Sequence, residues 1–224
     1  MLKPSLEKVK ALAKQYNTIP VFYEFSADNQ TPLNIYTALS KDSRNSFILE
    51  SVSNGVQWDR YSFVGVSPKE EICITGNTAE IRTGDKIETK EVEQPIAFLK
   101  ERMAAYRSPV LEGAPNFTGG LIGYFGYDTV RHMGKKLTHV PGDDTPIPDC
   151  HLFLYEELLA YDHLTSNGIV ILNLHTDGDL GAQYAAAQWR AEELADIVRH
   201  YNPQPQVRQH HGEAVVRSNL TKEQ

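Results

Sequence analysis

A carboxylate and a hydroxyl stand side by side at Glu50 and Ser51, directly after the apolar run Phe47, Ile48 and Leu49 in "SFILESV". The run reads as a buried strand over residues 46–52. An unpaired charge at the end of such a strand would cost free energy comparable to the whole stability margin. Two arrangements avoid that cost. Glu50 can meet Arg60 or another cation across a hairpin, or Glu50 and Ser51 can be the polar contacts at the mouth of an otherwise apolar pocket, the usual plan of a small-molecule site.

Other chemistry is hard to find. No segment has the spacing of a phosphate-binding loop, and "GGLIGYFG" lacks the dinucleotide pattern. The glycines 119, 120, 123 and 126 therefore read as close packing of two sheets or close approach of a ligand. The histidines, at 132, 139, 151, 163, 175, 200, 210 and 211, offer no pair four residues apart on a helix and no "HExxH", so a metal site is not expected. The acidic run "GDDTPIPD" (142–149) lacks calcium-loop spacing and reads as a solvated turn. Cys73 and Cys150 lie far apart in the sequence and have no neighbouring histidine to activate them, so both read as buried thiols in a reducing compartment.

The elements around the polar pair are strand-rich. A helix with Leu6, Val9, Leu12 and Ala13 on one face precedes the strand "IPVFYEF" (19–25). Thr31 and Pro32 open a second helix expected to bury Leu33, Tyr36 and Leu39. Strands follow at 46–52, 60–66 and 71–75, then a hairpin turning at Gly84 and Asp85, and a helix over 94–106 with Ile96, Leu99, Met103 and Tyr106 inward. A long hairpin around "TSNG" is expected over 152–174, and Asp179 caps the longest helix. Without a regular β-α-β alternation, the fold class is α+β, with largely antiparallel sheets packed with flanking helices.

After Tyr201 the Pro- and Gln-rich "NPQPQVRQHH" reads as a linker, and Asn219 or Thr221 caps a helix that begins where the sequence stops. The expected division is a domain over residues 1–201 and a linker with the start of a further domain over 202–224. At 41% hydrophobic residues the chain can build a proper core, and its net charge of −7 argues against nucleic acid or an anionic membrane surface as a partner. The N-terminus lacks the pattern of a signal peptide and no segment approaches a membrane span, so the expected location is cytoplasmic.

Taken in order, "IPVFYEF", "TPLNIYTAL", "FILESV", "RYSFVG", "FTGGLIGYFGYD" and "SNLTKEQ" resemble the N-terminal half of anthranilate synthase component I, a chorismate-using family, over nearly the whole chain. The resemblance implies a full-length lyase that converts chorismate and ammonia from glutamine to anthranilate and pyruvate in tryptophan biosynthesis. It further implies an allosteric pocket for the feedback inhibitor L-tryptophan. By this resemblance Leu49, Glu50 and Ser51 are effector-site candidates, joined by Tyr61 in the next strand. Neighbouring strand residues point to opposite faces, so Ser51 is expected to contact the ligand by its side chain and Glu50 by its backbone or through orientation.

The resemblance also implies that Mg²⁺ and the chorismate-binding groups belong to a C-terminal catalytic domain beyond these residues. These 224 residues alone are then expected to hold no cofactor and to be inactive. Its implied partners are tryptophan, that catalytic domain and a glutamine amidotransferase subunit. The alternatives are the N-terminal half of aminodeoxychorismate synthase component I, of the folate pathway, or a module that docks the amidotransferase.

Overall fold

Runs of β-branched and aromatic residues fold into strands, some paired in local hairpins and others with distant parts of the chain. The computed structural model describes residues 1–50, 60–132 and 147–203. In chain order its elements are α1 (Leu6–Leu12), β1 (Thr18–Ser26), α2 (Pro32–Leu39), β2 (Ser46–Leu49), β3 (Tyr61–Val66), β4 (Glu70–Thr75), β5 (Thr78–Thr83) and β6 (Lys86–Glu91). Then come α3 (Pro95–Ala104), β7 (Gly120–Phe125), a 3-10 turn (Tyr127–His132), β8 (Cys150–Tyr155), β9 (Glu157–Asp162), β10 (Asn167–His175) and α4 (Leu180–Arg199). Two five-stranded sheets result, ordered β1-β10-β9-β3-β2 and β6-β5-β4-β8-β7, and every pairing is antiparallel. The fold is α+β with flanking helices, as the lack of β-α-β alternation implies.

Period-two alternation sorts the side chains of the first sheet onto two covered faces. One face buries Val21, Val64, Leu159 and Val170 under Val9 of α1, Ile35 of α2 and Leu194 and Val198 of α4. The other face carries Phe22, Phe63, Leu158, Ala160 and Ile171 and packs on Phe117, Ile122 and Phe153 of the second sheet and its approach. The far side of the second sheet, with Ile72, Ile74, Ile81 and Leu152, lies under Leu99 and Phe98 of α3.

The expected caps are present: Thr31 Oγ1 accepts from Asn34 N at 3.1 Å, and Asp179 Oδ1 accepts from the amides of Gly181 and Ala182. In α2, however, Leu33 is 59% exposed, and the buried positions are Pro32, Ile35 and Ala38. That stripe advances by three from Pro32, which leaves Leu33 on the flank.

The region read as one long hairpin is three strands. β8 belongs to the second sheet and β9 to the first, with Glu156 alone between them, and the β9–β10 turn lies at residues 163–166, where Ser166 takes φ +55. Beside that crossing, β3 passes into β4 through Ser67–Lys69. The two crossings are tied together: Lys69 N donates to Leu154 O and Lys69 Nζ to Glu156 Oε1, both at 2.8 Å. Chains that change sheets at a shared corner in this way keep the two layers in one packed unit.

The glycine-rich strand has a packing account. A Cβ at Gly123 would come within 2.0 Å of the His151 carbonyl oxygen on β8. The two cysteines fall on neighbouring strands, Cys150 buried and Cys73 half-buried, and burial pushes the Cys150 thiol up to about 11. Ser51, most of the 142–149 turn, and the linker and helix start from residue 204 onward lie outside the described residues.

Candidate functional site

β2 is an edge strand, which corrects the reading of "SFIL" as a buried one: Leu49 is 46% exposed, and Phe47 and Ile48 are half-buried. It is apolar on both sides because the sheet is covered on both sides. Ile48 packs into the helical layer, where Ser46 Oγ also meets the Tyr36 hydroxyl at 3.1 Å. Phe47 turns to the other sheet and stands edge-on to Tyr155, ring centroids 4.7 Å apart. Room for that ring exists because residue 65 is glycine; a Cβ there would lie 2.2 Å from Phe47 Cε1. Glu50, one residue past the strand, is exposed, so no desolvation forces it into an ion pair.

Pairing with β3 sets the rest of the site. Leu49 lies opposite Phe63, so Phe47, Leu49, Tyr61 and Phe63 share the face between the sheets. Phe63 stands edge-on to Phe117 at 5.4 Å, and the Tyr61 ring lies 6.2 Å from Phe63. An aromatic shelf thus runs from the interior toward a rim formed by Tyr61 and Leu49, with Glu50 beside it. Burial raises the Tyr61 hydroxyl above its ordinary pKa, against the lowering effect of the Arg60 charge.

Arg60 does not serve Glu50. Its Nε and Nη2 donate to Asp162 Oδ1 and Oδ2 at 3.0 and 2.7 Å. Asp162 faces Tyr61 in the β3–β9 register, and its carboxylate also accepts from Leu164 N and Thr165 Oγ1, both at 3.0 Å. Burial alone would raise its pKa; the hydrogen bonds from Arg60, Leu164 and Thr165 outweigh that and hold the carboxyl below the usual range. The guanidinium carbon sits 5.0 Å over the Tyr61 ring. Nothing in the sequence pointed to this pair, whose members are 102 positions apart.

Chemically, the described residues at the ends of β2 and β3 offer an aromatic and aliphatic surface beside the Arg60 guanidinium, with the exposed Glu50 next in the chain. It suits a planar apolar group bearing charges of its own. A hydroxyl–imidazole contact nearby, Ser62 Oγ to His163 Nε2 at 2.8 Å, is no nucleophile for a substrate, because Ser62 is 1% exposed. Of the four candidate residues, Leu49, Glu50 and Tyr61 come together at the ends of β2 and β3; Ser51 lies outside the described residues.

The family of chorismate binding enzymes matches residues 53–223. The chain belongs to that family. The matched region takes in Arg60, Tyr61 and Asp162, while β2, Glu50 and Ser51 precede it. Curated relatives extend the similarity: anthranilate synthase component 1 of Acetivibrio thermocellus is 37% identical over 84% of this chain and 37% of its own length. That of Pseudomonas aeruginosa is 36% identical over 86% of this chain and 39% of its own. The chain therefore spans about two fifths of the length of these relatives. The crystal structure of anthranilate synthase component I from Streptococcus pneumoniae aligns with 79% of this chain and 36% of its own at 24% identity and a TM-score of 0.47, too loose a match to carry site geometry.

Proposed function

We propose that the chain is the N-terminal regulatory portion of an anthranilate synthase component I, with a tryptophan-sensing domain over residues 1–201 and, over 202–224, a linker and the start of a chorismate-binding catalytic domain. In this reading the complete protein works in the cytoplasm, taking ammonia from a glutamine amidotransferase subunit and converting chorismate to anthranilate and pyruvate. No group of three or more His, Cys, Asp or Glu among the described residues is placed to hold a metal. The proposal assigns Mg²⁺ to the catalytic domain, and these residues alone turn over no chorismate.

The observation that supports the sensing role is the aromatic cluster between the sheets, which ends at the half-buried Tyr61 and the exposed Leu49, next in the chain to the exposed Glu50. L-Tryptophan supplies an indole for the apolar surface, an ammonium for a hydrogen-bond acceptor and a carboxylate for hydrogen-bond donors. Its binding biases the catalytic half by a coupling of about 1–3 kcal/mol, the usual size for allosteric systems. The test is Ser51→Phe in the complete protein, where the larger side chain overfills the pocket at a cost of about 1–3 kcal/mol. Anthranilate production, followed by its fluorescence, is expected to become insensitive to tryptophan; inhibition as strong as the parent's would remove the site assignment. The same fluorescence separates anthranilate from an aminodeoxychorismate product.

A further inference from the structure

Where the chain changes sheets at Glu156, the two layers leave a small cavity between Thr18 and Asn173 of the first sheet and Tyr155 of the second, lined also by Ser108, Thr118 and Gly119. It leaves about 40 Å³ to the centre of a water-sized sphere. One water needs about 10–15 Å³ on that measure, whereas sites for larger organic ligands run to about 300–1,000 Å³. The room is for water-sized guests and nothing larger. Its walls are held in place: Asn173 Nδ2 donates to Thr118 O at 2.7 Å and to Glu156 O at 2.9 Å. Gly119, at φ +147, passes so close that a Cβ there would stand 2.9 Å from that nitrogen and 3.0 Å from the Tyr155 carbonyl oxygen.

The lining carries more hydrogen-bonding capacity than its protein partners use. Thr18 is 3% exposed, and its Oγ1 has no partner among the described residues. A buried hydroxyl left unpaired bears the full penalty of leaving water. Ser108 Oγ reaches only Pro109 O, at 3.5 Å, the outer limit of a hydrogen bond, and a carbonyl such as Thr118 O has a second lone pair. Charge is balanced: the Glu156 carboxylate accepts from Lys69 Nζ at 2.8 Å and lies 2.8 Å from His175 Nε2. A neutral guest therefore fits better than an ion.

We propose that this cavity is a binding site for structural water anchored on the Thr18 hydroxyl. The water donates to Thr118 O and shares hydrogen bonds with Thr18 Oγ1 and Ser108 Oγ, about the three partners usual for a buried water. It thereby joins the start of β1 to the approach of β7, one sheet to the other, beside the crossing that the chain itself makes at Glu156. The inference does not depend on the effector reading.

The test is high-resolution crystallography of the complete protein and of Thr18→Ser and Thr18→Val, with a second set of crystals under xenon, which enters dry apolar cavities. The parent is expected to show a water peak within hydrogen-bond distance of Thr18 Oγ1 and of Ser108 Oγ or Thr118 O, and no xenon. Thr18→Ser keeps the hydroxyl and so keeps the water. Thr18→Val keeps the shape without the hydroxyl, and the peak beside residue 18 is lost. If the valine variant does not fold, the parent and the serine variant carry the test: xenon in the cavity, or no water peak, overturns the inference. A parent in which Thr18 Oγ1 bonds a protein group directly, or a valine variant with the water peak unmoved, overturns it as well.

Discussion

Arg102 grips Glu70 through Nε and Nη2, each 2.8 Å from a carboxylate oxygen, and Arg60 grips Asp162 in the same side-on way. Glu70 lies on β4 and Arg102 on α3, so the first pair fastens a helix to the sheet it covers. Its arginine is 27% exposed and its carboxylate 10%. The second pair is lopsided: 46% for Arg60 against 3% for Asp162, and the carboxylate organises a turn as well as the arginine. The same chemistry thus closes a layer at one place and presents a half-open cation at the other. Partner count and exposure, and not the residue types, separate a fastening from a rim.

That contrast can be broken most directly by removing the carboxylates. Asp162→Ala leaves Arg60, the Leu164 amide and the Thr165 hydroxyl without their shared acceptor and is expected to cost about 3 kcal/mol in chemical denaturation. Glu70→Ala deprives only Arg102 and should cost about 1–2 kcal/mol. Equal losses would show that the extra partners of Asp162 contribute nothing.

Acid titration sharpens the same point. The folded state holds the Asp162 carboxyl below its unfolded pKa, so the associated stability is fully present above the unfolded pKa, about 3.9, and is lost as pH falls through the lower folded value. Stability measured from pH 5 downward should therefore fall less steeply in Asp162→Asn than in the parent. Identical acid limbs would contradict the assignment. The smallest effect is expected at Tyr61: replacement by Leu removes the ring beneath Arg60, a contact of about 0.5–1 kcal/mol, and a double-mutant cycle with Arg60→Gln should return a coupling of that size.

Local features of the fold were legible because they depend on neighbours in sequence. Thr31 with Pro32, Asp179, and the Gly84 turn each announce a cap or a reversal by their own chemistry. What sequence could not reveal was decided across the sheets. The crossing at Glu156 falls within "LFLYEELLAY", where the apolar stretches on either side of Glu156 and Glu157 have the same strand character although they belong to different sheets. Likewise "SFIL" looks interior although it forms an edge, since both faces of its sheet are covered. At the site, Glu50 is conspicuous as a charge directly after an apolar run and Tyr61 is named only by the family resemblance, whereas the partner of Arg60 lies on a distant strand and is visible only in the β3–β9 register.

The pairing of β1 with β10 has a consequence for synthesis. Ser26 lies opposite Asn167 and Thr18 opposite His175, so once β1 has left the ribosome it has to await β10. At roughly 5–20 residues per second this is an interval of about 7–30 seconds. Throughout it Ile19, Val21 and Phe22, all buried in the folded molecule, lack the ladder that will shelter them, so the nascent chain is a natural client for a holding chaperone until β10 emerges.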